Sequence, residues 1–408
     1  MPCSVWRRRA PLACAVAFAA LAALPARADQ LATVATFTGT NGAGPYAGLI
    51  DVGGTLYGTT AFGGSGANDG TVFSLDPTSG ATTTLASFNG VNGAAPFAAL
   101  LDVGGTFYGT TVGGGSANDG TVFSLNPTSR TLATVATFNG TNGVDPYAGL
   151  IHVGGTLYGT TWSGGSANDG TVFSLNPTTG MLATVATFTG INGVYPYAGL
   201  IDVGGALYGT TSEGGSYGSG TVFSLNPTTG MLATVATFTG TNGANPYAGL
   251  IDVGGTLYGT TARGGSGGVG TVFSLNPTSG AVATVANFTG TNGVEPVGAL
   301  IDVGATLYGT TNGGGSADNG TVFSLSPATG ALTTLASFTA SNGAFPEAGL
   351  LDVGGALYGT TPSGGSGSDG TVFSLTLLAA ANVPEPASIA LLGAGLAGLT
   401  LARRRRAA

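Results

Sequence analysis

Short apolar runs alternate with clusters of turn residues along the chain, and one such pattern recurs over nearly its whole length. In the fourth copy of the pattern, runs rich in Thr, Val, Tyr and Phe predict four strands, which we name A to D: Gly199–Val203, Ala206–Thr211, Gly220–Leu225 and Leu232–Phe238. Asp, Asn, Pro and Gly separate A from B and C from D, as expected for tight turns. Alternation within the runs is weak, which is typical of strands buried on both faces.

The pattern repeats about every 50 residues. A phenylalanine that ends strand D marks each copy: Phe37, Phe88, Phe138, Phe188, Phe238, Phe288 and Phe338. A tyrosine in strand B marks the copies again: Tyr57, Tyr108, Tyr158, Tyr208, Tyr258, Tyr308 and Tyr358. The chain is therefore one structural unit written seven times.

Four strands in each of seven repeats predict an all-β fold, a seven-bladed β-propeller within residues 29–380. The chain begins with a lone D strand, Leu31–Phe37, and the seventh copy stops after its C strand, Thr371–Leu375. Pairing these two strands completes the last blade and closes the ring. A β-helix or another solenoid is the alternative, because stacked repeats also build those folds.

The N-terminus has the order of residues expected of a secretory signal. Arg7–Arg9 is followed by the apolar run Ala10–Leu24 and by the small-residue motif Ala26-Arg27-Ala28. We therefore expect residues 1–28 to be a signal peptide that is cleaved after Ala28, with a retained membrane anchor as the alternative.

The C-terminal segment, residues 381–408, contains a short apolar stretch between a Pro-Glu-Pro triplet and an arginine cluster. Residues 387–402 predict a short transmembrane helix, and the arginines after it hold that end in the cytoplasm. The residues of this pattern are Pro384, Glu385, Pro386, Arg403, Arg404, Arg405 and Arg406. The segment resembles the PEP-CTERM sorting signal, with a plain tail anchor as the alternative. The resemblance implies processing by an exosortase-type enzyme in Gram-negative bacteria that make exopolysaccharide.

The phrase P-x-AGLIDVGG-x-LYGTT, followed by GG and GTVFSL, recurs over residues 31–375. It resembles the GloVer-type tandem repeat of bacterial surface proteins. That resemblance implies no established activity.

Composition narrows the chemistry that the chain can carry. Only 7% of residues are charged, and between the two terminal signals acidic residues far outnumber the two arginines, Arg130 and Arg263. An acidic surface repels phosphate backbones, so we expect no nucleic acid partner. Both cysteines, Cys3 and Cys14, lie in the predicted signal peptide, and His152 is the only histidine. These counts exclude disulfides, thiolate metal sites and His-pair zinc sites from the exported part.

Six of the seven turns between strands A and B carry an aspartate, and the third carries His152. The aspartates are Asp51, Asp102, Asp202, Asp252, Asp302 and Asp352. A ring of carboxylates could hold Ca²⁺, which takes several oxygen ligands at once. The alternative, which we favour, is that each aspartate caps its own hairpin and that no cofactor is present.

The copies differ most in the loops between strands B and C and between D and the next A, which an up-and-down blade places at one end. Loops on a rigid scaffold are common binding sites. Five residues of the third and fourth copies form our candidate glycan-binding surface: Trp162, Tyr195, Tyr197, Glu213 and Tyr217. Aromatic rings beside carboxylates suit sugars. The alternative is a set of scattered surface aromatics without a role.

Together these features predict a protein that is exported through the inner membrane, transiently anchored there, and then located at the cell surface or outside the cell. We expect a binding or structural module, with extracellular polysaccharide as its partner. One alternative is a polysaccharide lyase or glycosidase that uses Glu213 with Asp145, since such enzymes need paired carboxylates. Another is a purely structural coat protein.

Overall fold

A computed structural model of the chain describes residues 30–377. The predicted signal peptide and the sorting segment, with its helix over residues 387–402, lie outside the described residues. The described part is all-β, with twenty-eight strands. It contains no helix that is long and apolar enough to cross a membrane.

The strands form seven four-stranded antiparallel sheets, which are the blades of the propeller. The strands of blades 1 to 3 are, for blade 1, β2 (Ile50–Val52), β3 (Thr55–Thr60), β4 (Thr71–Leu75) and β5 (Thr82–Ser87); for blade 2, β6 (Leu101–Val103), β7 (Thr106–Thr111), β8 (Thr121–Asn126) and β9 (Thr131–Thr137); and for blade 3, β10 (Ile151–Val153), β11 (Thr156–Thr161), β12 (Thr171–Leu175) and β13 (Leu182–Thr187). The strands of blades 4 to 6 are, for blade 4, β14 (Ile201–Val203), β15 (Ala206–Thr211), β16 (Thr221–Leu225) and β17 (Leu232–Thr237); for blade 5, β18 (Ile251–Val253), β19 (Thr256–Thr261), β20 (Thr271–Leu275) and β21 (Val282–Asn287); and for blade 6, β22 (Ile301–Val303), β23 (Thr306–Thr311), β24 (Thr321–Leu325) and β25 (Leu332–Ser337). Blade 7 consists of β26 (Leu351–Val353), β27 (Ala356–Thr361), β28 (Thr371–Thr376) and the first strand of the chain, β1 (Gln30–Thr36).

The predicted closure of the ring is confirmed. Strand β1 pairs with β28, with Leu31 opposite Leu375 and Thr36 opposite Thr371. A buried hydrogen bond of 2.9 Å from Thr360 Oγ1 to the carbonyl oxygen of Ala47 also joins blade 7 to blade 1. The first and last strands thus share one sheet, in which β28 is paired on both sides and is not an exposed edge.

Strand A is shorter than the sequence predicts. In the fourth copy the prediction started at Gly199, but β14 starts at Ile201. The residues just before it are held by the neighbouring blade, because Thr160 Oγ1 of blade 3 donates a hydrogen bond of 3.3 Å to the carbonyl oxygen of Ala198. The backbone there serves contacts between blades around the axis and is not part of the ladder with strand B.

The hydrophobic core consists of seven clusters, and each cluster is shared by two adjacent blades. Between blades 4 and 5, Val222 and Phe238 of one blade pack with Leu257 and Phe273 of the next. The rings of Phe238 and Phe273 meet edge to face, with centroids 4.9 Å apart. Burying a side chain of this size contributes roughly 1.5–3 kcal/mol. Each blade therefore depends on its neighbour for the burial of its apolar face.

A glycine in strand B makes room for the phenylalanine of strand C. A Cβ atom added at Gly209 would lie 2.6 Å from Cζ of Phe223, which is closer than real Cβ contacts come. Six equivalent glycines face their own phenylalanines in the same way: Gly58, Gly109, Gly159, Gly259, Gly309 and Gly359. This packing explains why LYGTT carries glycine in every copy.

Buried threonines next to this glycine satisfy one another and link the blades. Thr211 Oγ1 lies 2.8 Å from Thr221 Oγ1 across strands B and C, and Thr210 Oγ1 donates to the carbonyl oxygen of Ala248 in the next blade at 3.2 Å. Among residues 30–377, no buried side-chain nitrogen or oxygen lacks a hydrogen-bond partner. The repeated threonines therefore place hydroxyl groups in the buried interior, and because each is hydrogen-bonded the fold avoids the free-energy cost of unpaired polar groups.

Removing β1 tests the closure of the ring. A chain that starts at Phe37 leaves β28 as an exposed strand edge, so we expect its free energy of unfolding to fall by several kcal/mol, or the protein to aggregate. The control is a chain that starts at Asp29 and keeps β1. Thermal unfolding and light scattering measure both effects, and equal melting of the two chains contradicts a closed ring.

Substituting one strand-B glycine tests the packing between strands. We expect Gly209→Ala to lower the free energy of unfolding by about 1–3 kcal/mol, because the added methyl overpacks the ring of Phe223. Gly199→Ala is the matched control, since its Cβ would lie 3.6 Å from the nearest atom, the carbonyl oxygen of Gly149. Urea unfolding of both variants compares them; a loss no larger for Gly209→Ala than for Gly199→Ala contradicts this account.

Candidate functional site

The loops between strands B and C and the loops between D and the next A lie together at one end of the propeller. Their backbones pair, as in the bridge between Val194 and Glu213, where each amide donates to the other residue's carbonyl oxygen at 2.9 and 3.1 Å. The residue after the proline of each D–A loop points to the axis at this end. These seven residues form what we call the axial ring: Tyr46, Phe97, Tyr147, Tyr197, Tyr247, Val297 and Glu347. They line an axial cavity of about 170 Å³.

The turn that places each axial-ring residue has a strained backbone. The residue before the proline has a positive φ, for example 59° at Tyr195 and 53° at Glu295. All seven copies share this conformation: Gly44, Ala95, Asp145, Tyr195, Asn245, Glu295 and Phe345. A left-handed non-glycine residue costs on the order of 1 kcal/mol and persists only where its surroundings hold it. Here the amide of Tyr195 donates to the carbonyl oxygen of Asp169 at 3.0 Å, and that of Ser212 donates to the carbonyl oxygen of Tyr195 at 3.1 Å.

Five adjacent members of the axial ring are aromatic and touch one another in sequence. Tyr147 stacks on Tyr197, with centroids 4.8 Å apart and planes inclined by 23°. Tyr247 meets Tyr197 at 85°, so these two rings form a corner. On the other side, Phe97 lies 4.8 Å from Tyr46 and 5.4 Å from Tyr147. The result is a continuous aromatic wall around most of the cavity, and four of its five rings carry a phenol hydroxyl group.

Glu347 interrupts this aromatic wall. With Tyr197, Tyr247, Glu295, Val297 and Asn312 it lines a pocket of about 250 Å³ that adjoins the axial cavity. Asn312 Nδ2 donates a hydrogen bond of 3.1 Å to Glu347 Oε1. Burial raises the pKa of Glu347 to about 7; the Asn312 hydrogen bond opposes the rise, and the negative charge of Glu295 adds to it. The carboxyl group therefore titrates near neutral pH.

The tyrosines around Glu347 stay neutral in that range. Burial raises the pKa of Tyr197 above its ordinary value of 10.0, and the negative charge of Glu347 raises it further. Burial also raises the pKa of Tyr46, Tyr147 and Tyr247. Glu347 is thus the acidic member of a ring whose other members are uncharged.

The predicted glycan-binding residues divide into three groups in the structure. Trp162 and Tyr195 form a stacked pair, with centroids 4.4 Å apart and planes inclined by 18°. Tyr197 belongs to the axial ring. Glu213 and Tyr217 lie at the same end, and both side chains are exposed. The structure therefore brings two of the five residues into direct contact and places a third at the axis.

Of the seven axial-ring residues, only Tyr197 was among the site residues predicted from the sequence. It is the position x in P-x-AGL, which varies among Tyr, Phe, Val and Glu while its neighbours barely change. This variation was the available signal for the ring. No signal in the sequence marked Asn312 as the hydrogen-bond partner of Glu347, because the two residues lie in loops of different copies.

The aspartates of the A–B turns lie at the opposite end of the propeller from the axial ring. Asp202 Oδ1 accepts a hydrogen bond of 2.9 Å from the backbone amide of Gly205, within its own turn. Asp51, Asp102, Asp252 and Asp352 make the same bond. Within residues 30–377, no three His, Cys, Asp or Glu residues cluster as a metal site would require.

The candidate catalytic residues Glu213 and Asp145 lie in two different loops at the variable end. Asp145 is half-buried in the D–A loop before blade 3, and Glu213 is exposed in the B–C loop of blade 4. Burial raises the pKa of Asp145, and the negative charge of Asp119 adds to the rise.

Two sequence families match the chain. The profile of the Gloeobacter/Verrucomicrobia repeat matches residues 22–215 and 196–383, and that of the PEP-CTERM protein-sorting motif matches residues 382–406. Both resemblances noted in the sequence are confirmed. No curated protein is significantly similar to the chain.

Several solved structures are similar to the chain at low sequence identity. An oligogalacturonate lyase from Vibrio parahaemolyticus is 9% identical with a TM-score of 0.53, and the match covers 85% of this chain and 93% of that one. An oligogalacturonate lyase in complex with manganese is 13% identical with a TM-score of 0.52, covering 80% and 86%. A putative 6-phosphogluconolactonase from Bacteroides fragilis is 20% identical with a TM-score of 0.47, covering 74% and 86%. The two lyases establish a likeness of fold alone.

The raised pKa of Glu347 predicts a pH-dependent stability. The ordinary pKa of a glutamate is 4.5, and the value for Glu347 in the folded protein is about 7. As far as it depends on Glu347, the free energy of unfolding therefore has its full value below pH 4.5 and falls as the pH rises through 7. We expect Glu347→Gln to leave the free energy of unfolding unchanged below pH 4.5 and to raise it by up to about 3 kcal/mol above pH 7.

Urea unfolding at several pH values measures this difference. Asp318→Asn is the control at the same end of the propeller, because it removes one negative charge while Asn168 already makes the equivalent loop hydrogen bond in the third copy. If Glu347→Gln and Asp318→Asn have the same pH dependence as the unchanged protein, the carboxyl group is not desolvated.

Proposed function

The chain belongs to the Gloeobacter/Verrucomicrobia repeat family, and on that premise we propose that it is an exported module that binds exopolysaccharide at the cell surface or in the extracellular matrix. Its PEP-CTERM motif implies export and membrane-associated processing by an exosortase-type enzyme. The binding face is the variable end of the propeller, with the axial ring at its centre.

The axial ring is the observation that carries this proposal. Five adjacent aromatic side chains line the axial cavity together with the carboxyl group of Glu347, and the amide of Asn312 joins that carboxyl group in the adjoining pocket. The C–H faces of a sugar ring stack on aromatic rings, while its hydroxyl groups need a few polar partners. Glu347 and Asn312 supply such partners beside Tyr197 and Tyr247.

The stacked pair of Trp162 and Tyr195 supplies a second aromatic surface at the same end. Tyr195 precedes Pro196 and Tyr197 in one loop, so the pair and the axial ring are connected by a single turn. A polysaccharide offers many sugar units in a row, and two stacking surfaces on one face can engage units of the same chain, which raises the overall affinity.

The rigidity of the site supports binding as well. The residue before each proline has a positive φ. In six of the seven copies this residue is not glycine, although glycine would remove the strain. A backbone held in this way does not have to reorganise when a ligand binds.

An enzyme is the second candidate, and Glu347 is the observation that favours it. A carboxyl group with a pKa of about 7 in a cavity suits general acid–base catalysis at neutral pH. In that case Glu347, more than Glu213 with Asp145, is the acid or base to test. Release of new reducing ends or unsaturated products from the polysaccharide, abolished by Glu347→Gln, distinguishes turnover from binding.

Binding to exopolysaccharide tests the proposed function. We expect Tyr197→Ala and Trp162→Ala each to weaken binding by about tenfold or more, since loss of one stacking ring costs roughly 1–3 kcal/mol in comparable stacking sites. Isothermal titration with polysaccharide from the producing strain gives the affinities. Met231→Ala, an exposed residue next to strand D, is the control.

Two results contradict the proposal. One is no binding by the unchanged protein, which favours a structural coat protein if the protein self-associates. The other is binding that Met231→Ala weakens as much as Tyr197→Ala does, which places the binding surface away from the axial ring.

A further inference from the structure

The pocket beside Glu347 has the walls of a cation site. Tyr197 and Tyr247 meet at 85° with centroids 5.4 Å apart, and they present two ring systems to one pocket. The carboxyl group of Glu347 lies in the same pocket. Cations bind favourably over aromatic faces, and more so where water is excluded.

Within residues 30–377, no cationic side chain pairs with this carboxyl group. Residues 30–377 contain two arginines, Arg130 and Arg263, no lysine, and one histidine, His152, at the opposite end of the propeller. Arg263 is paired with Glu295, with Nε 4.0 Å from Oε1, and its side chain is 68% exposed. Among the described residues, the hydrogen bond to Glu347 comes from the neutral amide of Asn312. Glu347 is therefore a desolvated acid that an external positive charge would stabilise in its ionised form.

From this geometry we propose that the pocket formed by Tyr197, Tyr247, Asn312 and Glu347 binds an ammonium group, so that the recognised glycan carries free amino groups. This inference rests on the proposed function, because it names the class of polysaccharide that the axial face selects. An amino sugar places an ammonium group directly on the ring that stacks on the aromatic wall, so one sugar unit can satisfy both parts of the site.

The shape and charge of the site favour an ammonium group over other ligands. A divalent metal ion needs several oxygen ligands, and no three acidic residues converge in the part of the chain that the structure describes. Uronic acids and sulfated sugars would bring a negative charge close to Glu347 and Glu295. A neutral sugar offers Glu347 hydrogen bonds only and so does not favour its ionised form.

Binding of an ammonium group is coupled to the ionisation of Glu347. Free protein at pH 6 holds this group mostly protonated, because its pKa is about 7, and a bound cation favours the ionised form. The charged and titratable groups around it are Glu295 with its partner Arg263, and four tyrosines whose pKa values burial raises above the ordinary 10.0: Tyr46, Tyr147, Tyr197 and Tyr247. The affinity for a permanently charged ligand is therefore expected to rise about tenfold between pH 6 and pH 8.

Three oligosaccharide probes test the inference on protein purified from cells that express the full chain. They are an oligomer of N-acetylglucosamine, its de-N-acetylated form, and its N,N,N-trimethyl form, which keeps a positive charge at every pH. We expect the trimethyl oligomer at pH 8 to bind at least tenfold more tightly than the acetylated one, with the de-N-acetylated oligomer closer to the trimethyl form at pH values where its amines are charged.

Glu347→Gln and Asp318→Asn separate the site from general acidity. Glu347→Gln keeps an oxygen for the Asn312 hydrogen bond but removes the charge, so we expect it to abolish both the preference for charged oligomers and the pH dependence. Asp318→Asn should preserve both. If Glu347→Gln fails to fold, the pH profile of the unchanged protein and the variant Tyr247→Leu, which removes one aromatic wall, test the same inference.

The outcomes distinguish this inference from the proposed function. Equal binding of the charged and acetylated oligomers, weakened by Tyr197→Ala, overturns the ammonium site and leaves polysaccharide binding in place. A preference for charged oligomers that Glu347→Gln and Tyr247→Leu do not reduce also overturns it, since any acidic surface would then explain the result. Failure to bind any glycan overturns both.

Discussion

The packing of each blade against the next is the constraint on which the structure depends. No blade buries its own apolar face alone; Phe238 at the end of one blade meets Phe273 of the next, and the same contact recurs at every junction. A chain of such units leaves two unburied faces unless it closes. Strand β1 resolves this by completing blade 7, and Thr360 secures the seam through Ala47.

Closure also creates the site. Residues about 50 positions apart in sequence meet at the axis only because seven blades complete a circle. The scaffold positions are nearly fixed by Gly209 and its equivalents, which the phenylalanines of strand C contact, and by the paired threonines of strands B and C. The axial ring has no such role in the packing between sheets, so its residues are free to differ. Substitutions there change the chemistry of the cavity while the fold is retained.

The sequence predicted the fold well because the repeat carries its own signals: turn residues at fixed places, β-branched runs and the offset of the first and last strands. Loop variation pointed to the variable end of the propeller and to Tyr197, Trp162 and Tyr195 there, whose role in binding stays a prediction. The sequence missed Tyr46, Phe97, Tyr147, Tyr247, Val297 and Glu347 because their proximity depends on how strand A enters the axis. The late start of strand A at Ile201 is set by contacts with the neighbouring blade, which no local pattern reveals.

An NMR titration of protein with labelled tyrosine rings, using fragments of the producing strain's exopolysaccharide, tests directly whether the ligand binds at the axis. We expect the ring signals of Tyr46, Tyr147, Tyr197 and Tyr247 to shift together as ligand is added. The tyrosines of strand B, which pack between blades, serve as internal references and should not shift. Shifts confined to strand B or to Tyr217, or no shifts with bound ligand, would contradict a binding site at the axis.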